Sequence, residues 1–401
     1  MTGITRLPNE ICPICGSSNI RVIFSVSQIP VHCNLLWTTQ TDAQNAPKGD
    51  IRLGFCENCT HIFNLSFTPL QMEYSHQYEN TLHFSPRFQS YATSLVKRLT
   101  NRYDLDNKKI IEIGCGKGDF LRLVCEAGNN TGIGFDPSYE EDLTENESNQ
   151  RIKFIQDFYS EKYAHYEADL ICCRHTIEHI YKPKEFLNML NRAISNGSTS
   201  PVVFLEVPNA VHILRELAIW DIIYEHYSYF SNLSLAYLFI KAGFNILDLD
   251  SAFGGQYLYI EAASHSNRAD ISHPIEPNGS MEDYYTDVME FAERYKEKKA
   301  IWKNKIEHLS NAGKRVALWG AGSKGVTFLN MLNFNKLIRY VVDINPRKQG
   351  MYVGGTGQEI VPPEFLREYQ PDVLIIMNVI YDEEIQQQVR AINVDVEFMY
   401  P

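Results

Sequence analysis

Four groups of residues in this 401-residue chain have types and spacings that could do chemistry. Cys12 and Cys15, and further on Cys56 and Cys59, form two C-x-x-C pairs. Two such knuckles bring four thiolates to one tetrahedral zinc ion, and four protein ligands close the site, so the metal's role would be structural. A redox dithiol is the competing reading, for which one pair would suffice. The second group is Glu112-Ile113-Gly114-Cys115-Gly116-Lys117-Gly118, an acidic residue closing an apolar run, then glycines at alternate positions. Such a turn lets a ligand lie against bare main chain. Asp136, at the end of the next apolar run, stands where an acidic side chain grips a ribose diol. The third group is Tyr224-Glu225-His226, an imidazole beside a carboxylate and several tyrosines, which offers a proton acceptor close to neutral pH. Taken alone it also reads as a core histidine satisfied by its neighbours. The fourth is His175, Glu178 and His179. The two histidines are four residues apart and could share a helix face; a metal site there would lack a clear third ligand.

Apolar runs must position these groups. Ile110–Ile113, Gly132–Phe135, Ala168–Cys173 and Val202–Pro208 read as buried strands, and helical spacing begins at Phe120, Leu121 and Val124. Phe154–Phe158 reads as a short strand closing on Asp157. Strands alternating with helices predict an α/β, doubly wound sheet, in which ligands bind beyond the carboxyl ends of the strands. A polar, turn-rich stretch over 264–280 reads as a linker. A helix from about Met281 to Leu309 follows, with Val288, Tyr295, Trp302, Ile306 and Leu309 as its buried stripe. Arg315–Gly325 then repeats the strand-and-glycine pattern as G-x-G-x-x-G, with Asp343 further on, which alone would favour NAD. Between 66 and 105 lies an aromatic bridge with Tyr74, Tyr78, His83, Phe84, Phe88 and Tyr91, placed to lie over a ligand cleft.

Composition narrows the function classes. The net charge is -12 and no basic block occurs, which argues against nucleic acid as a partner. No apolar run reaches the ~20 residues that span a bilayer. The first thirty residues lack the pattern of a signal peptide, so the expected compartment is the cytoplasm. The five cysteines outside the two pairs read as core thiols.

The pattern E-x-G-x-G-x-G resembles motif I of the class I S-adenosylmethionine (SAM) methyltransferases. The resemblance implies that Gly114, Gly116 and Gly118 wrap the methionine part and that Asp136 takes the ribose hydroxyls. Glu112 would help hold the amino group, while Asp157 and Phe158 meet the adenine. Zinc knuckles, the glycine turn, Glu225-His226-Tyr227-Ser228-Tyr229-Phe230-Ser231 and the tail come in one order along the chain. Together they resemble the three-domain sugar C-methyltransferases that make branched deoxysugars. That family implies a zinc-binding domain at 1–65 and the bridge at 66–105. A class I methyltransferase core spans 106–263, a linker and long helix 264–312, and a Rossmann-like substrate-binding domain 313–401. It carries the general base to His226, with Glu225 beside it, Tyr224 or His179 donating to an enolate oxygen, and Tyr78, Lys324 and Asn345 near a nucleotide-linked keto-sugar. Three stretches depart from the family. Ile223-Tyr224-Glu225-His226 stands for Tyr-His-Glu-His, and Phe253-Gly254-Gly255-Gln256-Tyr257-Leu258 for His-Gly-Gly-Ser-Leu-Arg; near the end, Met377-Asn378-Val379 replaces Pro-Trp-Asn. O-methylation of a sugar or related molecule is the alternative reaction, and an NAD-dependent oxidoreductase using the second glycine turn is the alternative class.

Overall fold

The computed structural model describes residues 10–72, 78–140, 151–265, 280–333 and 337–401. Strands β1 (Ile20–Pro30), β2 (Lys48–Cys56) and β3 (Ile62–Asn64) form an antiparallel sheet. Next come β4 (Lys109–Ile113), β5 (Thr131–Phe135), β6 (Ile152–Ile155), β7 (Leu170–Arg174) and β8 (Val202–Pro208). The two residues of β9 (Ser228–Tyr229) leave this second unit and join the first sheet as its edge, pairing Ser228 with Phe63 and Tyr229 with Ile62. After β10 (Phe244–Ala252) and β11 (Tyr257–Ser264) the central sheet runs β10-β11-β8-β7-β4-β5-β6, parallel from β8 to β6, with β11 antiparallel to both of its neighbours. Every residue of β7 is buried, as expected of a strand covered on both faces.

The last unit has β12 (Val316–Trp319), β13 (Ile338–Val342), β14 (Glu359–Val361), β15 (Val373–Ile376) and β16 (Glu397–Met399), all parallel, in the order β14-β13-β12-β15-β16. Strand order in both parallel sheets reverses beside the first strand, between β4 and β7 and between β12 and β15. Such a switch point opens a crevice at the carboxyl ends of the strands.

Helix Pro86–Tyr103 buries Phe88, Ala92, Leu95, Val96 and Leu99, one face of a 3.6-residue repeat, and Ser85 caps its first turn by accepting from Phe88 N. The long helix Met281–Asn311 buries Tyr284, Val288, Phe291, Trp302 and Ile306. Tyr295 and Leu309, expected on that stripe, are only partly buried. The helix ties two units together: Phe24 of β1 packs on Tyr295 at 4.7 Å, and Trp302 packs on Phe328 at 5.5 Å. The expected linker over 264–280 falls mostly outside the described residues, as does Tyr74. Among the described residues no helix is long and apolar enough to cross a membrane.

Candidate active site

The first glycine turn sits at the β4/β7 switch point. All three of its glycines have left-handed φ, at 71°, 53° and 83° for Gly114, Gly116 and Gly118. A Cβ on Gly114 would stand 2.0 Å from Thr176 Oγ1 and one on Gly118 2.3 Å from Phe154, whereas one on Gly116 would meet nothing within 4 Å. Two of the glycines therefore allow close packing and the middle one faces open space. Gly116 N–H donates to Asp136 Oδ2 at 2.8 Å, and Ser138 N–H and Oγ hold the other Asp136 oxygen. Glu112 is buried behind the turn and its Oε2 has no partner among the described residues. Burial pushes its carboxyl up to about 8. An orphaned buried acceptor at this place suits an ammonium group. Asp157 accepts from Lys162 and from Tyr163 Oη, so its carboxylate is already engaged, while the ring of Phe158 is 67 % exposed.

A cavity of about 320 Å³ lies between the carboxyl ends of the two parallel sheets. One wall carries His175, Glu178, His179, Ile223, Glu225 and His226; the other carries Gly320, Gly322, Lys324, Asp343, Asn345 and Asn378. The rings of His179 and His226 meet edge to face with centroids 4.9 Å apart, and His179 Nδ1 lies 3.0 Å from the Glu225 carbonyl oxygen. Burial pushes the His226 imidazole well below its usual range, and the charges of His179 and His175 act the same way, so the ring is neutral near pH 7. The Glu225 carboxylate is fully buried; it accepts from Cys33 N–H at 2.8 Å and from Tyr78 Oη at 2.8 Å.

His175 is held with left-handed φ at 49°, uncommon for a residue with a side chain. Its Nε2 lies 3.1 Å from Glu206 Oε1, which also takes Arg174 Nη2 at 2.8 Å. Burial opposes charge on His175, but Glu178 and Glu206 outweigh it and raise its pKa to about 9.

Two expectations are corrected here. Tyr224 does not face the cavity: its hydroxyl accepts from Thr68 N–H at 3.0 Å and donates to Gln71 Oε1 at 2.7 Å, and the neighbouring Ile223 lines the wall instead. Ile223 and Glu225 on either side of it line the cavity while Tyr224 points away, so a one-residue displacement of the tyrosine takes it out of the site. His175 and His179 do not share a helix face either, because Ile177–His179 is a single 3-10 turn entered from the left-handed His175.

On the opposite wall the second glycine turn has the dinucleotide form. A Cβ on Gly325 would stand 2.0 Å from Gly320 O, and Gly322 faces open space. Lys324 pairs with Asp221 across the cavity. Asn345 Nδ2 donates to Glu79 Oε1 at 3.1 Å, tying this unit to the aromatic bridge.

Residues 85–249 match the family described as a methyltransferase domain, and residues 262–401 the one described as a C-methyltransferase C-terminal domain. The C-methyltransferase NovU of Streptomyces niveus is 25% identical over 399 residues, covering 96% of this chain and 93% of NovU. The chain is a SAM-dependent methyltransferase with a C-methyltransferase C-terminal domain. A mitochondrial ubiquinone biosynthesis O-methyltransferase of Dictyostelium discoideum is 24% identical over 111 residues, covering 24% of this methyltransferase and 34% of its own length. Among solved structures, the magnesium protoporphyrin IX methyltransferase of Synechocystis with bound SAH is 17% identical, with a TM-score of 0.34, over 44% of this chain and 84% of its own. The strand order of the central sheet and the methyltransferase-domain match over it give the class I methyltransferase fold, with two further sheets beside it.

The cysteine knuckles of the methyltransferase come together as spaced. One sulfur from each of Cys12, Cys15, Cys56 and Cys59 lies within 4.8 Å of the others, with Cys12–Cys59 and Cys15–Cys56 both at 3.5 Å. Zinc–thiolate bonds of ~2.3 Å place sulfurs ~3.8 Å apart in a tetrahedron, so the four residues fit the ion. Gly16 N–H donates to Cys12 O and Thr60 N–H to Cys56 O, both at 2.9 Å, closing two equivalent turns. Sequence reasoning missed Asp221 as the partner of Lys324 and Glu79 as the partner of Asn345. It also missed Lys348, whose buried Nζ donates to Ala321 O at 3.1 Å. No local signal marks any of them, since each matters only through a contact made from a distant unit.

Proposed function

We propose that the methyltransferase alkylates a carbon next to the carbonyl of a nucleotide-linked keto-sugar, with His226 as general base. Gly114, Gly116, Gly118, Asp136, Glu112 and Phe158 would hold SAM, which supplies an electrophilic methyl group when bound. His226, neutral near pH 7, takes the proton from the acceptor carbon, and His179, oriented by the Glu225 carbonyl, donates toward the oxygen on which charge develops. Tyr78, anchored on buried Glu225, and Lys324 and Asn345 on the facing wall position the acceptor. Cys12, Cys15, Cys56 and Cys59 hold a structural zinc ion.

The observation that carries this reading is the single cavity with His226, His179 and Glu225 on one wall and the second glycine turn with Lys324 on the other. A ligand with a reactive end and a nucleotide end would span those walls. Incubation with methyl-labelled SAM and a panel of nucleotide-linked keto-sugars tests it. The reading expects a labelled methyl on carbon, located by NMR of the product. A label on oxygen would select O-methylation, and tight binding of NAD(H) by the second turn would select the oxidoreductase.

A further inference from the structure

Glu178, His179 and His226 offer one ligand atom each, all within 4.8 Å of one another. All three line the cavity. The Glu178 side chain is 1 % exposed, and neither of its oxygens makes a hydrogen bond among the described residues. The nearby His175 Nδ1 stands 3.7 Å away, beyond hydrogen-bond reach. His175 is thus the ion-pair partner of this carboxylate but fills none of its hydrogen-bonding positions, and these stay open to a cation that enters the cavity. His226 Nδ1 is buried and makes no hydrogen bond among the described residues. His179 Nδ1 sits 3.0 Å from a main-chain carbonyl, the arrangement that orients metal-ligating histidines, so Nε2 is the atom that either carries the proton donated in catalysis or, without it, offers a lone pair to an ion.

We propose that Glu178, His179 and His226 form a second metal site, separate from the four cysteines, for one divalent transition ion of the zinc class, and that its occupancy blocks methyl transfer. Two imidazoles and one carboxylate suit zinc, cobalt or nickel better than magnesium or calcium. Three protein ligands facing a cavity leave a coordination position open. Inhibition rests on the base role given to His226 above, because its lone pair can hold a proton or an ion but not both. Binding of the ion does not rest on that role.

The test uses the full chain carrying one equivalent of zinc on its cysteines, titrated with Co2+. Equilibrium dialysis with elemental analysis should count a second equivalent. Its absorption should show weak d–d bands without the intense sulfur-to-metal bands of thiolate ligation. Glu178→Gln and His179→Ala should each weaken this second binding by at least ~10-fold, with circular dichroism showing that each variant is folded. Methyl transfer should fall in proportion to second-site occupancy and return when a mild chelator removes that ion alone. A single equivalent per chain would overturn the proposal, as would second-site affinity unchanged in both variants. A second equivalent bound with methyl transfer undiminished would overturn the inhibition, and the base role of His226 with it, while the metal site stood.

Discussion

The side-chain amides of Gln256 and Asn378 bond each other reciprocally, Gln256 Nε2 to Asn378 Oδ1 at 2.9 Å and Asn378 Nδ2 to Gln256 Oε1 at 3.0 Å. Gln256 stands in the turn between β10 and β11, whose Gly254 and Gly255 are left-handed, and Asn378 follows β15. The pair therefore links the central unit to the last one at the edge of the cavity. Both positions lie in stretches where this chain departs from the sugar C-methyltransferase pattern, and the two departures answer each other by contact.

Breaking that link should loosen acceptor binding and spare the SAM site. Asn378→Ala leaves one amide unpaired, at a cost of about 1–3 kcal/mol, read as a raised KM for the acceptor with unchanged SAM affinity. Gln256→Ala combined with Asn378→Ala should be non-additive by about 0.5–3 kcal/mol. Steady-state kinetics of the four proteins in the cycle checks both; simple additivity would mean the amides act separately.

Glu206 anchors a buried cluster. It accepts from Arg174 Nε at 3.1 Å and Nη2 at 2.8 Å and from Tyr91, and it forms an ion pair with His175. Glu206→Gln leaves the Arg174 charge buried without its counter-ion, and should cost about 3–5 kcal/mol of stability. Denaturant unfolding of the two proteins gives the difference; a change under about 1 kcal/mol would mean that Arg174 finds another partner.

Removing zinc should disturb the base through β9. Only Tyr227 separates His226 from β9, and β9 hangs on β3 of the cysteine-bearing sheet. Chelation, or Cys56→Ser, should lower kcat for methyl transfer by ~10-fold or more while SAM affinity stays near that of the intact protein. Calorimetry with SAM beside a rate assay separates the two. Equal loss of both would mean the zinc unit supports the whole fold rather than the acceptor side.

Glu112 should make SAM binding depend on pH. Its carboxyl is raised by burial to about 8, above the ordinary value of 4.5. Without ligand, its contribution to stability is therefore full below about 4.5 and lost as pH rises through about 8. An incoming ammonium group favours the ionised form, so SAM affinity should climb between about pH 6 and 8 and proton release should accompany binding. Titration calorimetry in buffers of different ionisation heat measures that release. Glu112→Gln should bind more weakly and show no such slope.

Much of this was legible in the sequence because it is local. The glycine turns, the strands that feed them and the C-x-x-C knuckles are short patterns whose backbone demands are written in adjacent residues. The four paired cysteines, Asp136 and His226 all stand in such patterns. Tyr224 was misplaced because one residue of register decides which side of a segment a ring takes, and only its packing against Thr68 and Gln71 settles that. The Lys324–Asp221, Asn345–Glu79 and Gln256–Asn378 contacts bring together residues from separate units, and no spacing rule within a single stretch encodes them.

The base role of His226 is tested most directly by proton exchange at the acceptor carbon. A nucleotide-linked keto-sugar that the enzyme methylates is placed in D2O with enzyme and S-adenosylhomocysteine, and loss of its α-proton signal is followed by NMR. Wild-type protein should wash deuterium into that position, and His226→Ala should slow the exchange by ~100-fold or more with S-adenosylhomocysteine still bound. Exchange at an undiminished rate in His226→Ala would contradict the account.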